Sequence, residues 1–366
     1  MTALEVARDT TSVGTPITTF DALADVDGGP GAQLRLARQL AVAFRDEFAV
    51  SGEPDDVSTF DLVTLPYPVR FGLWRAARTP VPFLNITNRM LVVRWTEDDG
   101  RRRTLLFEPS DTELGVNTPY FAALAAKTPD VVSRHLATTH GTVPEHLAAA
   151  GITPEEVDYL AFDHLHTQDV RRWIGTSDPQ PDLGGAELQA PLFPNARLIV
   201  QRDELTAMAD LHPLQQPWYQ PDTYPSLRPE GLLVIDGDVL LGPGVALLRT
   251  PGHTAGNQTL VVNTSTGIWA SSENVIAAEC LTPEHSRIPG LARWAQQWGQ
   301  EVVLNANTIE DTARQYTSIV IEKTLVDRAQ ADERFLQFLP SSELTVNRLA
   351  PGTAPTFSHG GIGHHA

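Results

Sequence analysis

Hydrophobic and polar positions change rhythm several times along the chain. From Gln33 to Val50, Leu34, Leu36, Leu40, Phe44 and Phe48 recur at roughly helical spacing. This predicts an amphipathic helix ahead of the main fold, set against an edge or a partner. Residues 1–30 are rich in Thr, Asp and Gly and are expected to form a loose arm, with a turn-rich break at Ser51–Asp56. The rhythm then shortens. Pro68–Ala76, Pro82–Asn85 and Met90–Trp95, a charged turn at Glu97–Gly100 and a return over Arg103–Glu108 predict an antiparallel meander. Tyr120–Lys127 and Pro144–Ala150 predict helices, and Thr142 and Glu145 have capping-box spacing at the start of the second. The short apolar strand Tyr159–Phe162 runs straight into Asp163-His164-Leu165-His166.

The second half follows the same order, strands first and helices after. Arg197–Gln201 predicts a strand and Asp203–Ala209 a short helix. The Pro- and aromatic-rich segment from His212 to Pro229 predicts a surface loop near a site. Leu232–Ile235 with Val239–Leu241, and Thr259–Asn263 with Ile268–Ala270, predict two hairpins. Leu291–Trp298, Ile309–Leu325 and Asp327–Phe338 predict helices, and Glu301–Leu304 a strand. Meander, helices, meander, helices implies two similar halves packed sheet on sheet. The expected organisation is an N-terminal arm and helix over 1–60, one domain over 61–340, and a flexible tail over 341–366.

Composition narrows the chemistry. With 366 residues and 42% apolar, the chain has material for one sizeable core. A formal net charge of −18 argues against a nucleic-acid backbone or an anionic membrane surface as partner. Its plainer meaning is solubility. Cys280 is the single cysteine, so no internal disulfide and no thiolate metal cluster can form. No signal-like segment or bilayer-length apolar run is visible, and the expectation is a cytoplasmic protein acting on a small molecule.

That leaves histidines and carboxylates as metal ligands. In an extended segment, residues two apart point to one side. His164 and His166 at a strand exit therefore resemble half of a metal site, although such a pair also occurs as surface decoration. A third neutral nitrogen would complete a tripod with one open position, the arrangement of catalytic zinc. Such a metal brings the pKa of bound water towards about 7.

The stretch from His146 to Gly175 resembles the signature of the metallo-β-lactamase superfamily, in which a helix, a glycine and an acidic turn feed a strand ending in His-x-His-x-Asp-His. Phe193–Arg197 resembles the entry to that family's next strand. Thr250-Pro251-Gly252-His253-Thr254-Ala255-Gly256-Asn257 resembles its Thr-Pro-Gly-His-Thr-x-Gly-His turn, and Trp269–Asn274 its strand ending in Gly-Asp. The resemblance spans roughly residues 65–325. It implies an αβ/βα four-layer sandwich of two mixed sheets flanked by helices, with His164, His166 and His253 as ligands of a first metal and Glu273 at the bridging carboxylate position. It implies a hydrolase using metal-bound hydroxide on an ester, lactone, amide or thioester, with zinc the first expectation and iron or manganese the others.

The second metal position departs from the pattern. Gln168-Asp169 stands where the family has Asp-His, and the family's last histidine falls near Asn305 or Asn307. Three readings stay open: one metal on three histidines with Asp169 or Glu273 as general base; two metals, the second held by Asp169 and Glu273; or a fold kept for binding alone. A carboxylate-rich second site also suits a di-iron redox member. Asp163 is either an acceptor for a ligand imidazole or a solvated residue. His285 and the tail histidines 359, 364 and 365 read first as surface groups, with the tail a remote source of a missing ligand. Trp218, Tyr219, Tyr224, Trp294 and Trp298 line a pocket or a core, and Cys280 reads as a buried apolar residue. The Gln33–Val50 helix raises the expectation of a homodimer.

Overall fold

A computed structural model describes residues 13–126, 137–220, 223–307, 311–347 and 350–366. Lys127, Ile309 and the first twelve residues, which carry parts of the expected helices and arm, lie outside that set. No helix among the described residues is long and apolar enough to cross a membrane.

The strands are β1 (Thr15–Ile17), β2 (Asp56–Pro68), β3 (Phe83–Thr96), β4 (Arg102–Phe107), β5 (Thr138–Thr139), β6 (Tyr159–Ala161), β7 (Arg197–Gln201), β8 (Leu232–Ile235), β9 (Asp238–Gly242), β10 (Val245–Arg249), β11 (Gln258–Thr264), β12 (Gly267–Ser271), β13 (Ser342–Thr345) and β14 (His364–His365). The helices longer than one turn are α1 (Pro30–Phe48), α2 (Pro119–Ala126), α3 (Val143–Ala149), α4 (Arg202–Ala209), α5 (Leu291–Trp298) and α6 (Thr312–Leu325). One sheet runs β14-β2-β3-β4-β6-β7-β8, with β13 paired to β3 and β5 to β2. It is mixed: β2, β3 and β4 are antiparallel, whereas β4, β6, β7 and β8 run parallel. The other sheet, β1-β9-β10-β11-β12, is antiparallel at every pair, so only one of the two sheets is mixed.

Strand alternation divides the apolar residues among three interfaces. Leu91, Val93 and Trp95 of β3 face Val245 and Leu247 of β10 between the sheets. Met90 and Val92 point the other way, onto Val143 and Leu147 of α3 and Leu205 and Met208 of α4. Ala246 and Leu248 of β10 turn outward onto Ala37, Ala41 and Phe44 of α1 and Ile319 and Val320 of α6. Three interfaces make four layers, helix–sheet–sheet–helix. With both faces covered, the strands read as unbroken apolar runs rather than as alternation.

Several local expectations give way to tertiary contacts. Pro68–Ala76 is a single helical turn at Val69–Gly72, and the missed strand β2 precedes it. The runs at Pro82 and Met90 are one fourteen-residue strand, β3. Leu232–Ile235 and Val239–Leu241 do not pair. The chain changes sheet at Asp236-Gly237, where Gly237 has φ +112. Asp327–Phe338 is irregular chain folded back on itself through the Arg328–Leu336 bridge, and Glu301–Leu304 is largely buried irregular chain, held by bonds from Trp74 N to Leu304 O and Val303 N to Cys280 O. By contrast, Thr142 and Glu145 do form the capping box of α3.

The ends of the chain belong to the fold. Thr15–Ile17 of the expected arm adds a strand beside β9. The tail expected to be flexible is sewn down: β13 pairs with β3, β14 with β2, and Ile362 enters the core between the sheets. An edge strand with unpaired backbone groups takes up an extended segment that satisfies them. Helix α1 buries Ala37, Ala41, Phe44 and Phe48 in its own chain, and Arg38–Glu301 and Arg45–Asp327 pairs flank it. The homodimer expectation therefore loses the apolar face on which it rested.

Candidate metal centre

Strand β6 stops at Ala161, so His164 and His166 lie in the loop beyond it rather than within an extended strand. That loop is pinned by three backbone bonds. Asp163 N–H donates to Glu108 Oε1 at 2.5 Å, Leu165 N–H to Glu204 Oε1 at 2.9 Å, and Gln258 N–H to the Asp163 carbonyl at 2.8 Å. His253 comes from the turn after β10. Gly252 there has φ +135, and a Cβ on it would lie 2.2 Å from Gln315 N, so only glycine lets the turn sit against α6.

The two loops bring His164, His166 and His253 together. One ligand nitrogen from each lies within 4.8 Å of the others, and ring centroids are 4.5 to 5.4 Å apart. All three side chains are buried, His253 completely. His166 Nδ1 and Nε2 and His253 Nε2 have no hydrogen-bond partner. A buried polar atom with no partner is costly, and several aimed at one point fit a metal ion. Outer groups set the rings. Asp163 Oδ1 lies 2.6 Å from His164 Nδ1, and His253 Nδ1 lies 2.8 Å from the Asn305 carbonyl, which leaves the opposite nitrogen of each ring as the lone-pair donor. Asp163 is thus a buried carboxylate set against the His164 imidazole, not a solvated residue.

Charge follows from this packing. Burial, with His164 and then His253 nearby, holds His166 well below the usual imidazole value. Burial and the neighbouring His164 hold His253 down to about 3. Both rings are neutral at pH 7. Burial opposes charge on His164 too, but the Asp163 carboxylate outweighs it and raises His164 to about 9. Burial and the Asp163 charge push Glu108 well above the carboxylate range. Its backbone sits at φ +61, a strained conformation for a non-glycine residue beside a site.

The second metal position is dismantled. Thr167 takes φ +61 directly after His166 and donates its N–H to the Trp218 carbonyl at 2.7 Å. The chain turns away there. Gln168 Nε2 donates to Ser110 Oγ at 2.9 Å, and both Asp169 oxygens accept from Arg171, at 3.0 and 2.7 Å. The Asp169 carboxylate, expected as a metal ligand or general base, is instead paired with the buried Arg171 guanidinium and lies outside the histidine cluster. Among the described residues the three histidines are the one cluster of potential ligands. Glu273 stays close. Its Oε1 accepts from Asn305 Nδ2 at 3.2 Å, and burial raises it to about 7.

Sequence reasoning missed Glu204, the residue that joins the two loops. From α4 it accepts Leu165 N–H and the Tyr219 hydroxyl on Oε1 and the Thr254 hydroxyl on Oε2. A helical Glu in a polar run carries no signal of burial. Tyr219 also stands edge-on to His166 at 4.7 Å, and Trp218 lies 6.2 Å from it, stacked on Tyr120. Tyr224 lines an outer cavity of about 880 Å³ with Tyr120 and Tyr219. Trp294 packs against the helical core while Trp298 is exposed. His285 lies 4.0 Å from Glu284 and edge-on to Phe335, away from the cluster, and Cys280 is buried with its thiol pushed up. His359 and His364 bond to the carbonyls of Leu336 and Pro54, and His365 contacts Asp56, so the tail supplies no ligand.

Glu322 of α6 is a buried acid behind the site. Its Oε1 accepts from Thr259, Ser272 and Asn274, Oε2 has no partner, and burial raises it to about 7. A carboxyl that holds its proton more tightly folded than unfolded weakens the fold as pH rises from its ordinary value towards 7. Glu322→Gln imitates the protonated acid. The variant is expected to match the parent near pH 4.5 and to be more stable at pH 8 by on the order of 3 kcal/mol, read from denaturant midpoints. A gain equal at both pH values would contradict this assignment.

No protein-family profile matches the chain. An N-acyl homoserine lactonase from Bacillus sp. is 31% identical over 118 residues, which is 32% of this chain and 38% of that relative. The corresponding enzyme of Bacillus cereus is 30% identical over the same lengths. The matched segment thus covers well under half of these relatives. Among solved structures, a quorum-quenching N-acyl homoserine lactone lactonase matches with TM-score 0.44 and 20% identity, covering 68% of this chain and 89% of the other. The dizinc quorum-quenching lactonase AidC matches with TM-score 0.45 and 11% identity, over 84% and 96%. Over that shared segment the chain is similar to N-acyl homoserine lactonases, and its described residues bring the first histidine set of the expected motif into one cluster.

Proposed function

We propose that this protein is a hydrolase that depends on one metal ion and opens lactones, with N-acyl homoserine lactones as the first substrates to test. The observation that carries the reading is the buried three-histidine cluster with unpartnered nitrogens. The 118-residue likeness to lactonases supports the substrate class. Three imidazole ligands suit zinc. The di-iron alternative called for a carboxylate-rich second site, and Asp169 is committed to Arg171.

His164, His166 and His253 would hold the ion, which when bound supplies Lewis acidity and an activated water. Asp163 and the Asn305 carbonyl fix the ligand rings. Lactone opening adds water across the acyl C–O bond, and the ring oxygen leaves as an alcohol that needs a proton. Glu273 is the carboxyl beside the cluster, and a value near 7 lets it take and return a proton at neutral pH. Trp218 and Tyr219 wall the cluster at His166 and exclude water from that side.

The test is metal content by mass spectrometry, followed by acid release from homoserine lactones of different acyl length. About one equivalent of zinc with lactone opening is expected. A folded protein that takes up no added metal, or a metal-loaded one that opens no lactone, would reject the proposal.

A further inference from the structure

The outer support of His164 includes a residue far beyond the motif region. Asp163 is buried and takes contacts on both oxygens. Oδ1 faces His164 Nδ1 and accepts the His164 N–H at 2.7 Å. Oδ2 accepts the Glu273 N–H at 2.5 Å and the Ser341 hydroxyl at 2.8 Å. Ser341 stands at the start of β13, some 178 positions from Asp163.

We infer that Ser341, on the C-terminal strap, is a positioning residue for the metal centre, acting through Asp163 on His164; this rests on the three histidines being a metal site. The strap is anchored well enough to do so. Arg89 N–H donates to the Ser341 carbonyl at 2.9 Å, and Ser341 N–H to the Ser272 carbonyl at 3.1 Å. Ser342 pairs with Asn88. Glu343 forms a buried ion pair with Arg89, and Leu344 is fully buried. These contacts leave the Ser341 hydroxyl one acceptor. Together with the His164 and Glu273 N–H bonds, this bond holds the plane of the Asp163 carboxylate against the His164 ring and so biases the direction in which His164 presents its free nitrogen. Outer partners of this kind typically change metal affinity 10–100-fold.

The experiment is a cobalt(II) titration of the full chain, read in the visible region, with zinc competition for affinity. Ser341→Ala is expected to bind about tenfold more weakly with altered cobalt bands, and to unfold near the parent temperature in chelator. Ser358→Ala is the control. That hydroxyl donates to Glu343 Oε2 on the same strap and does not contact Asp163. Unchanged affinity in Ser341→Ala, or equal weakening in both variants, overturns the positioning role. A parent protein that binds neither cobalt nor zinc overturns the metal-site reading itself, and that outcome is distinct because it appears before any substitution.

Discussion

His253→Ala is expected to leave a folded protein that holds no metal and opens no lactone. His253 is fully buried, its Nδ1 is held by the Asn305 carbonyl, and its Nε2 points at the other two rings without a partner. Alanine removes one of three ligands. Losing an outer partner costs 10–100-fold in metal affinity, so losing a ligand is expected to cost more than about 100-fold. The ring takes no part in the three apolar cores, which supply most of the stabilisation. Circular dichroism should therefore stay close to the parent. Zinc content after dialysis and lactone turnover are the readouts, and a variant that keeps its zinc would remove His253 from the centre.

The second large effect is expected at Glu204. Glu204→Ala strands three buried donors at once: Leu165 N–H, the Tyr219 hydroxyl and the Thr254 hydroxyl. Each unsatisfied buried group costs about 1–3 kcal/mol, so a loss on the order of 4 kcal/mol is expected where domains hold about 5–15 kcal/mol in all. The effect should exceed stability alone. Leu165 lies between two ligand histidines and Thr254 follows the third, so the clamp sets the spacing of the loops. Metal affinity is expected to fall in the same variant. Glu204→Gln keeps Oε1 as acceptor for two of the three donors and should lose less of both. Denaturant midpoints in chelator and zinc affinity separate the two effects. Equal midpoints for Ala and the parent would show that the donors find other partners.

Much of the fold was legible because burial writes itself locally. The runs Met90–Trp95, Val245–Arg249 and Thr259–Asn263 are apolar enough to be strands wherever they are put, and the Leu291–Trp298 spacing makes a helix in the same sense. The element boundaries that failed have a common cause. Pro68–Ala76 and Asp327–Phe338 have patterns compatible with more than one backbone, and the choice came from neighbours: a turn before β3 in one case, a bridge to β12 through Phe338 in the other. The hairpin expected at Asp236-Gly237 had the right turn residues, yet β8 and β9 joined different sheets, because pairing is decided by which edge is free.

The sequence by itself determined the first histidine set. His164, His166 and His253 lie in two short motifs whose glycine and loop geometry are local, and folding brings the three side chains into one buried cluster. It also determined that the second position is altered, since Gln168 and Asn305 are poor ligands in any arrangement. Only the tertiary structure decided what became of Asp169, because nothing in its neighbourhood of the sequence says whether Arg171 or an ion will take the carboxylate. Only the tertiary structure placed Glu108, Glu204, Asn305 and Ser341 around the cluster, from four separate stretches of the chain. A ligand must offer a particular atom, which restricts its residue type and leaves a motif. A supporting residue need only supply a donor or acceptor at the right point in space, and many residue types anywhere along the chain can do that once the fold delivers them there.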